Sequence, residues 1–153
     1  MSTDSERIAF DQEVRRYVYD ETRKSGAVPT IVETATTLSS PPAEIEASFR
    51  RLADARMLVL QRDSGEVLMA NPFSAVPTPF LVRVDGQSYY GNCIWDAMGI
   101  AAALHRDAFI QASCGDCGTS MTVRIKDGAL EPAQGIVHFA IPVAKWWSDI
   151  VFN

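Results

Sequence analysis

The sequence predicts an α+β fold: an N-terminal winged-helix-like region of three helices plus a hairpin, then a small mixed or antiparallel sheet packed on a helix. Three observations predict it. Apolar residues recur at helical period within residues 5–56, β-branched runs separated by Gly or Pro signals occupy residues 80–141, and a proline-rich stretch at 71–79 lies between them. With 153 residues, 47% of them hydrophobic, the chain can bury a core and has room for one domain or two small ones. The expected division is a winged-helix-like domain over 1–75 and a second domain over 76–153.

The elements follow in order. Ile8, Val14, Tyr17 and Val18 repeat at helical spacing over residues 5–24, with Arg and Glu between them, and Ser25-Gly26 supplies the stop. Residues 30–39 carry Ile31, Val32 and Leu38 and read as a short second helix, capped by Thr30 with Glu33 three residues on. Pro41-Pro42 opens a third helix over 43–56 that puts Ile45, Phe49, Leu52 and Ala53 on one face. Two apolar runs at 57–60 and 66–70 flank a polar turn and predict a hairpin. Pro72, Pro77 and Pro79 break both helix and sheet ladder, so 71–79 reads as an interdomain connection. A strand at 80–84 and a turn at Asp85-Gly86 precede an Ala-rich helix over 92–104, read as buried, with Ile94, Met98, Ala101 and Ala102 facing a core. Strands are expected at 108–113, 121–125 and 136–141, and one more helical turn at 145–149. Trp146-Trp147 reads as core or interface material.

Nineteen Asp plus Glu against fourteen Lys plus Arg leave a net charge of −5, which repels phosphate backbones and anionic lipid unless the bases cluster. They do not. Arg50, Arg51 and Arg56 of the third helix are matched by Glu44, Glu46 and Asp54, so nucleic acid is not an expected partner. No run approaches the ~18 apolar residues of a membrane-spanning helix, and the first thirty residues lack the apolar core of a secretion signal. No membrane association is expected, and the location reads as cytoplasmic by default. Cys93, Cys114 and Cys117 are an odd count in such a chain, so reduced thiols are expected rather than a disulfide framework.

Cys93 and Asp96 stand three apart at the start of the Ala-rich helix, where both side chains project from nearly one face. A thiol in a first helical turn meets unpaired backbone N–H groups and the positive end of the helix dipole, which favour the thiolate and lower its pKa. A carboxyl beside it can store or deliver a proton. The competing reading is a small buried hydrophobe next to a solvated helix residue. Cys114-Gly115-Asp116-Cys117 has the spacing of a metal knuckle or a dithiol, or of a turn with one cysteine buried. A closed zinc site there needs ligands from afar, since His105 and His138 are isolated and read as partly buried polar residues.

Tyr90-Gly91-Asn92-Cys93-Ile94-Trp95-Asp96-Ala97-Met98, then Ser113-Cys114 before a strand, then Glu131-Pro132-Ala133 ahead of another, resembles the organomercurial (alkylmercury) lyases. The resemblance runs from Pro77 to the end of the chain, and the winged-helix outline also fits that family. It implies protonolytic cleavage of carbon–mercury bonds, with two cysteine thiolates holding mercury and an aspartate managing the proton. Cys93 matches the first catalytic cysteine and Asp96 the catalytic aspartate. Cys114 matches a cysteine the family carries outside the reactive pair, Cys117 has no obvious counterpart, and both stand as secondary metal-ligand candidates. The resemblance implies a small organomercurial substrate, Hg(II) as bound product, no required cofactor, and external thiols or a mercuric reductase as product acceptors; a homodimer is an allowed assembly. The family's second catalytic cysteine is expected immediately after Phe152-Asn153, where the sequence stops. Trimming of a longer chain, a degenerate gene and a UGA codon recoded as selenocysteine are three explanations, and impaired turnover is expected unless Cys117 or a second subunit supplies a thiol. The alternative is a non-enzymatic metal-binding or metal-sensing thiol protein whose winged-helix-like half contacts DNA or another protein.

Overall fold

A computed structural model describes residues 3–131 and 135–151. The first helix, α1 (Asp4–Ser25), begins with a reciprocal capping box between Thr3 and Glu6 and ends at Gly26, whose φ of 78° supplies the left-handed step that closes the last turn. The second, α2 (Ile31–Thr37), carries the expected box between Thr30 and Glu33. The third, α3 (Pro42–Asp54), starts on a proline at its first position, where no intrahelical N–H is needed. Ile45, Phe49 and Leu52 of α3 pack with Val14 and Val18 of α1 and with Leu58, Val67 and Ala70 in a first core. Fully burying Ile45 and Phe49 stabilises that core by roughly 1.5–3 kcal/mol each.

The hairpin forms as expected: β1 (Val59–Leu60) pairs antiparallel with β2 (Val67–Ala70). The reading of 71–79 as a bare connection needs correction, because it contains β3 (Phe73–Ser74), which pairs with β2. The prolines flank that strand rather than occupy it, so no ladder bond is lost.

A second sheet is antiparallel throughout, in the order β5-β4-β6-β7-β8. Its strands are β4 (Leu81–Val84), β5 (Gln87–Tyr90), β6 (Ala108–Ser113), β7 (Ser120–Lys126) and β8 (Ala129–Leu130). Asp85 and Gly86, at φ 48° and 83°, form the two-residue turn joining β4 to β5. The helix α4 (Ile94–Leu104) packs on β4 and β6 and touches β3. Phe73, Val82, Val84, Tyr89, Ala97, Ile100, Ala101 and Ile110 make a second core.

Three further expectations give way. The buried face of α4 runs through Ala97, Ile100 and Ala101, with Ile94 and Met98 only partly covered and Ala102 exposed. The helix is thus half-buried, its stripe one position away from the expected one. Residues 136–141 form no strand: β8 already pairs with the outer edge of β7, and Ile136 is 94% exposed. The expected last helical turn is present as a 3₁₀ helix over Val143–Ser148, but neither tryptophan there enters a core. Trp146 packs on Phe139, while Trp147 lies under the Arg56 guanidinium. The quoted Pro132-Ala133 and the terminal Phe152-Asn153 lie outside the described residues.

No described helix is long and apolar enough to cross a membrane. Arg50 pairs with Glu46, and Arg51 reaches across to Asp11 of α1 instead of an acid on its own helix. Both arginines are therefore engaged within the protein.

Candidate active site

The site is built where β5 passes into α4. Gly91 donates its N–H to the Phe80 carbonyl at 3.0 Å, and Thr78 Oγ1 donates to the Gly91 carbonyl at 2.6 Å. A Cβ on Gly91 would stand 2.6 Å from the Ala97 nitrogen, so only glycine lets the first turn of α4 pack this closely on the end of the strand. Cys93 is the N-cap residue, with extended backbone, and its carbonyl accepts the first helical bond from Ala97 at 2.9 Å. Asp96 lies in the first turn. The expected neighbours do meet: the Cys93 thiol and the Asp96 carboxyl are close enough to shift one another, and both residues are partly buried.

The electrostatics depart from the expectation of a lowered thiol pKa. Burial pushes the Cys93 thiol up, and the Asp96 charge and hydrogen bond push the same way. Backbone N–H groups of Asp96 and Trp95 favour the thiolate but are outweighed. As N-cap, Cys93 lies at the margin of the helix dipole rather than within the turn, and it forms no regular cap hydrogen bond. Burial also raises the Asp96 carboxyl, against hydrogen bonds from the Asn92 amide and the Cys93 thiol. The result is a thiol and a carboxyl sharing a proton in a partly desolvated corner.

Sequence reasoning gave no role to the residues that frame this corner. Asn92 Nδ2 donates to Asn71 Oδ1 at 2.9 Å, while Asn92 Oδ1 is buried with no partner among the described residues. Tyr19 of α1 donates to the Asn71 carbonyl at 3.0 Å. Its phenol is raised by burial, opposed by Arg15, and pushed further by the Asp96 charge, so α1 lies within electrostatic reach of the carboxylate. Asn92 immediately before a cysteine N-cap was the available signal. Asn71 and Tyr19 reach the site only through the tertiary fold.

The other candidates lie elsewhere. Cys114 and Cys117 occupy the turn between β6 and β7, the first half-buried and the second exposed. Cys117 is lowered to about 7, chiefly by the Thr119 hydroxyl, whose oxygen is 3.1 Å from its sulfur, with the Thr119 N–H and the Cys114 thiol adding to it. His105 closes the C-terminal end of α4 in a left-handed conformation, and both histidines are exposed rather than partly buried. No three His, Cys, Asp or Glu side chains gather into a metal cluster among the described residues. A groove of about 830 Å³ opens beside the far end of α4, lined by Met98, His105, Asp107 and Leu130 among others, away from Cys93 and Asp96.

The sequence profile of the alkylmercury lyases (MerB) matches residues 73–152, more than half of the chain, and the chain belongs to this family. Over 122 residues it is 26% identical to an alkylmercury lyase of Streptomyces lividans, an alignment covering 78% of this chain and 54% of that protein. The chain therefore spans about half the length of this curated relative. The crystal structure of the mercury-bound form of MerB2 has a similar fold, with a TM-score of 0.61 at 19% identity, covering 79% of this chain and 59% of that one.

Proposed function

We propose that the chain carries the reacting corner of an organomercurial lyase, with Cys93 as the mercury-binding nucleophile and Asp96 as the proton carrier. The observation that carries this reading is that the Cys93 thiol and the Asp96 carboxyl meet, half-buried and electrostatically coupled, at the start of α4.

The chemistry balances with those two groups and external thiols. A small organomercurial arrives as R–Hg–SR′. Cys93 forms a sulfur–mercury bond and passes its proton through Asp96 to the departing R′S⁻, which leaves as R′SH with Asp96 again ionised. Sulfur donation loads electron density onto the carbon bound to mercury. A second, external thiol then binds mercury through sulfur and yields its proton to Asp96, which hands a proton to the carbon as the carbon–mercury bond breaks. The products are R–H and Cys93–S–Hg–SR″, with mercury as Hg(II) throughout. A further low-molecular-weight thiol or a mercuric reductase removes the ion. Burial suits this sequence: a carboxyl held above its ordinary range retains the proton until a carbanion-like carbon demands it.

The paired arginines of α3 give the metal-sensing, DNA-contacting alternative no support. The test is hydrocarbon release from phenylmercury or methylmercury with excess thiol, followed by gas chromatography. Benzene or methane formation by the full chain, abolished by Cys93→Ser and reduced at least ~100-fold by Asp96→Asn, is the expected outcome. Release unaffected by both substitutions would overturn the assignment.

A further inference from the structure

The Cys114-Gly115-Asp116-Cys117 segment plays no part in the chemistry above, yet its shape is specific. β6 and β7 stay paired as far as Ser113 opposite Ser120, and residues 114–119 close the turn between them. Cys114 donates its N–H to the Thr119 carbonyl at 2.8 Å, and Gly118 donates to the Cys114 carbonyl at 2.9 Å. Gly118, at φ 70°, makes the left-handed step that lets the chain double back, a conformation other residues adopt only with strain. The Gly118-to-Cys114 bond closes both cysteines into a single tight turn, and the Thr119 hydroxyl lies 3.1 Å from the Cys117 sulfur, whose pKa is lowered by Thr119 and by the neighbouring Cys114 thiol. Those donors are what a thiolate needs in order to carry its charge at an exposed tip.

We propose that Cys114 and Cys117 form a second metal site, a two-thiolate chelator for a soft cation of the Hg(II) class, separate from Cys93. The ligand class follows from the donor count. Structural zinc calls for four ligands, and no third His, Cys, Asp or Glu joins the pair among the described residues. A soft cation content with two thiolates is satisfied by the pair as it stands. Because both thiols belong to one closed turn, the second bond forms intramolecularly, which gives the pair its advantage over free monothiols. Its place in the sheet is also defined. β5 and β6 both run antiparallel to β4, so they point the same way, and Cys93 follows the end of one as Cys114 follows the end of the other. Both sulfur centres therefore lie at one end of the sheet, on strands about 10 Å apart.

The test uses the full chain carrying Cys93→Ser, kept reduced with a phosphine, so the result stands whether or not the protein cleaves carbon–mercury bonds. Hg(II) is added, an excess of a monothiol competes, and the desalted protein is weighed by native mass spectrometry. The expected result is one retained Hg(II) per chain and loss of both titratable thiols. Adding Cys114→Ser or Cys117→Ser should weaken retention by about 100-fold, and adding both should abolish it. Zinc under the same competition should not be retained. Equal Hg(II) retention by the single-thiol variants, no retention by the two-thiol chain, or stoichiometric zinc capture would each overturn the proposal. Circular dichroism checks that the variants fold. Should a serine variant unfold, alkylating both thiols of the folded Cys93→Ser chain removes the same ligands and must abolish retention.

Discussion

At the scale of the residue, the active corner is governed by desolvation. An N-cap thiol flanked by backbone N–H groups is expected to ionise readily, and the sequence pattern encourages that view. The fold instead buries Cys93 beside a carboxylate, and both effects hold its proton on. The sign is testable. With Cys114 and Cys117 replaced by serine, the rate of iodoacetamide alkylation at Cys93 should rise with pH through a midpoint above that of an ordinary thiol. Asp96→Asn removes the adjacent negative charge and the acceptor of the thiol proton, so the midpoint should move down and alkylation at neutral pH should become faster, even as cleavage fails. A midpoint unmoved by this substitution contradicts the shared-proton pair.

At the scale of the element, the position of α4 depends on a residue with no side chain. Gly91→Ala forces a methyl group against the Ala97 backbone, which must shift with the whole first turn of α4. The expected cost is about 1–3 kcal/mol, read as a lower Tm, together with loss of the cleavage activity proposed for Cys93 and Asp96. Unchanged Tm and activity would show that the turn has slack. The N-terminal helices offer a pH-dependent counterpart. Burial pushes Asp11 up, but hydrogen bonds from Arg51 and Ser48 and the Arg51 charge outweigh it and hold the carboxyl below its ordinary value. A depressed carboxyl contributes stability that is complete above its unfolded pKa and is lost as pH falls through the folded one. Asp11→Ala should therefore cost about 2 kcal/mol at neutral pH by denaturant titration, and the gap should narrow below about pH 4. A gap independent of pH contradicts this ion pair's role.

At the scale of the molecule, the two cores are joined by aromatic residues. Tyr19 and Val28 pack against both, Tyr19 meets Phe73 edge-on at 6.4 Å, and Tyr89 donates to the Arg23 carbonyl at 2.7 Å. Much of this fold was legible in the sequence because it is locally encoded. Capping residues, apolar period and a proline at a helix start delimit α1 to α3, and the Cys-x-x-Asp pattern marks the corner proposed to react. The rest was not legible because its causes are tertiary. β3 is two residues long and forms only by pairing with β2, while β5 is a polar-looking run that is a strand by virtue of its hairpin with β4. Residues 136–141 have strand-like composition, yet they join neither sheet. The thiol's raised pKa comes from burial, which spacing alone cannot supply.

In the proposed reaction Cys93 takes the metal and Asp96 lets go of the proton. Intact-protein mass spectrometry tests it directly, on the full chain with Cys114 and Cys117 replaced by serine, after brief exposure to phenylmercury and excess thiol. The chain with Asp96 intact should carry mercury stripped of its phenyl group, and the same chain with Asp96→Asn should carry phenylmercury still whole on Cys93. Phenyl retained in both, or lost equally fast from both, would contradict the assignment of the proton to Asp96.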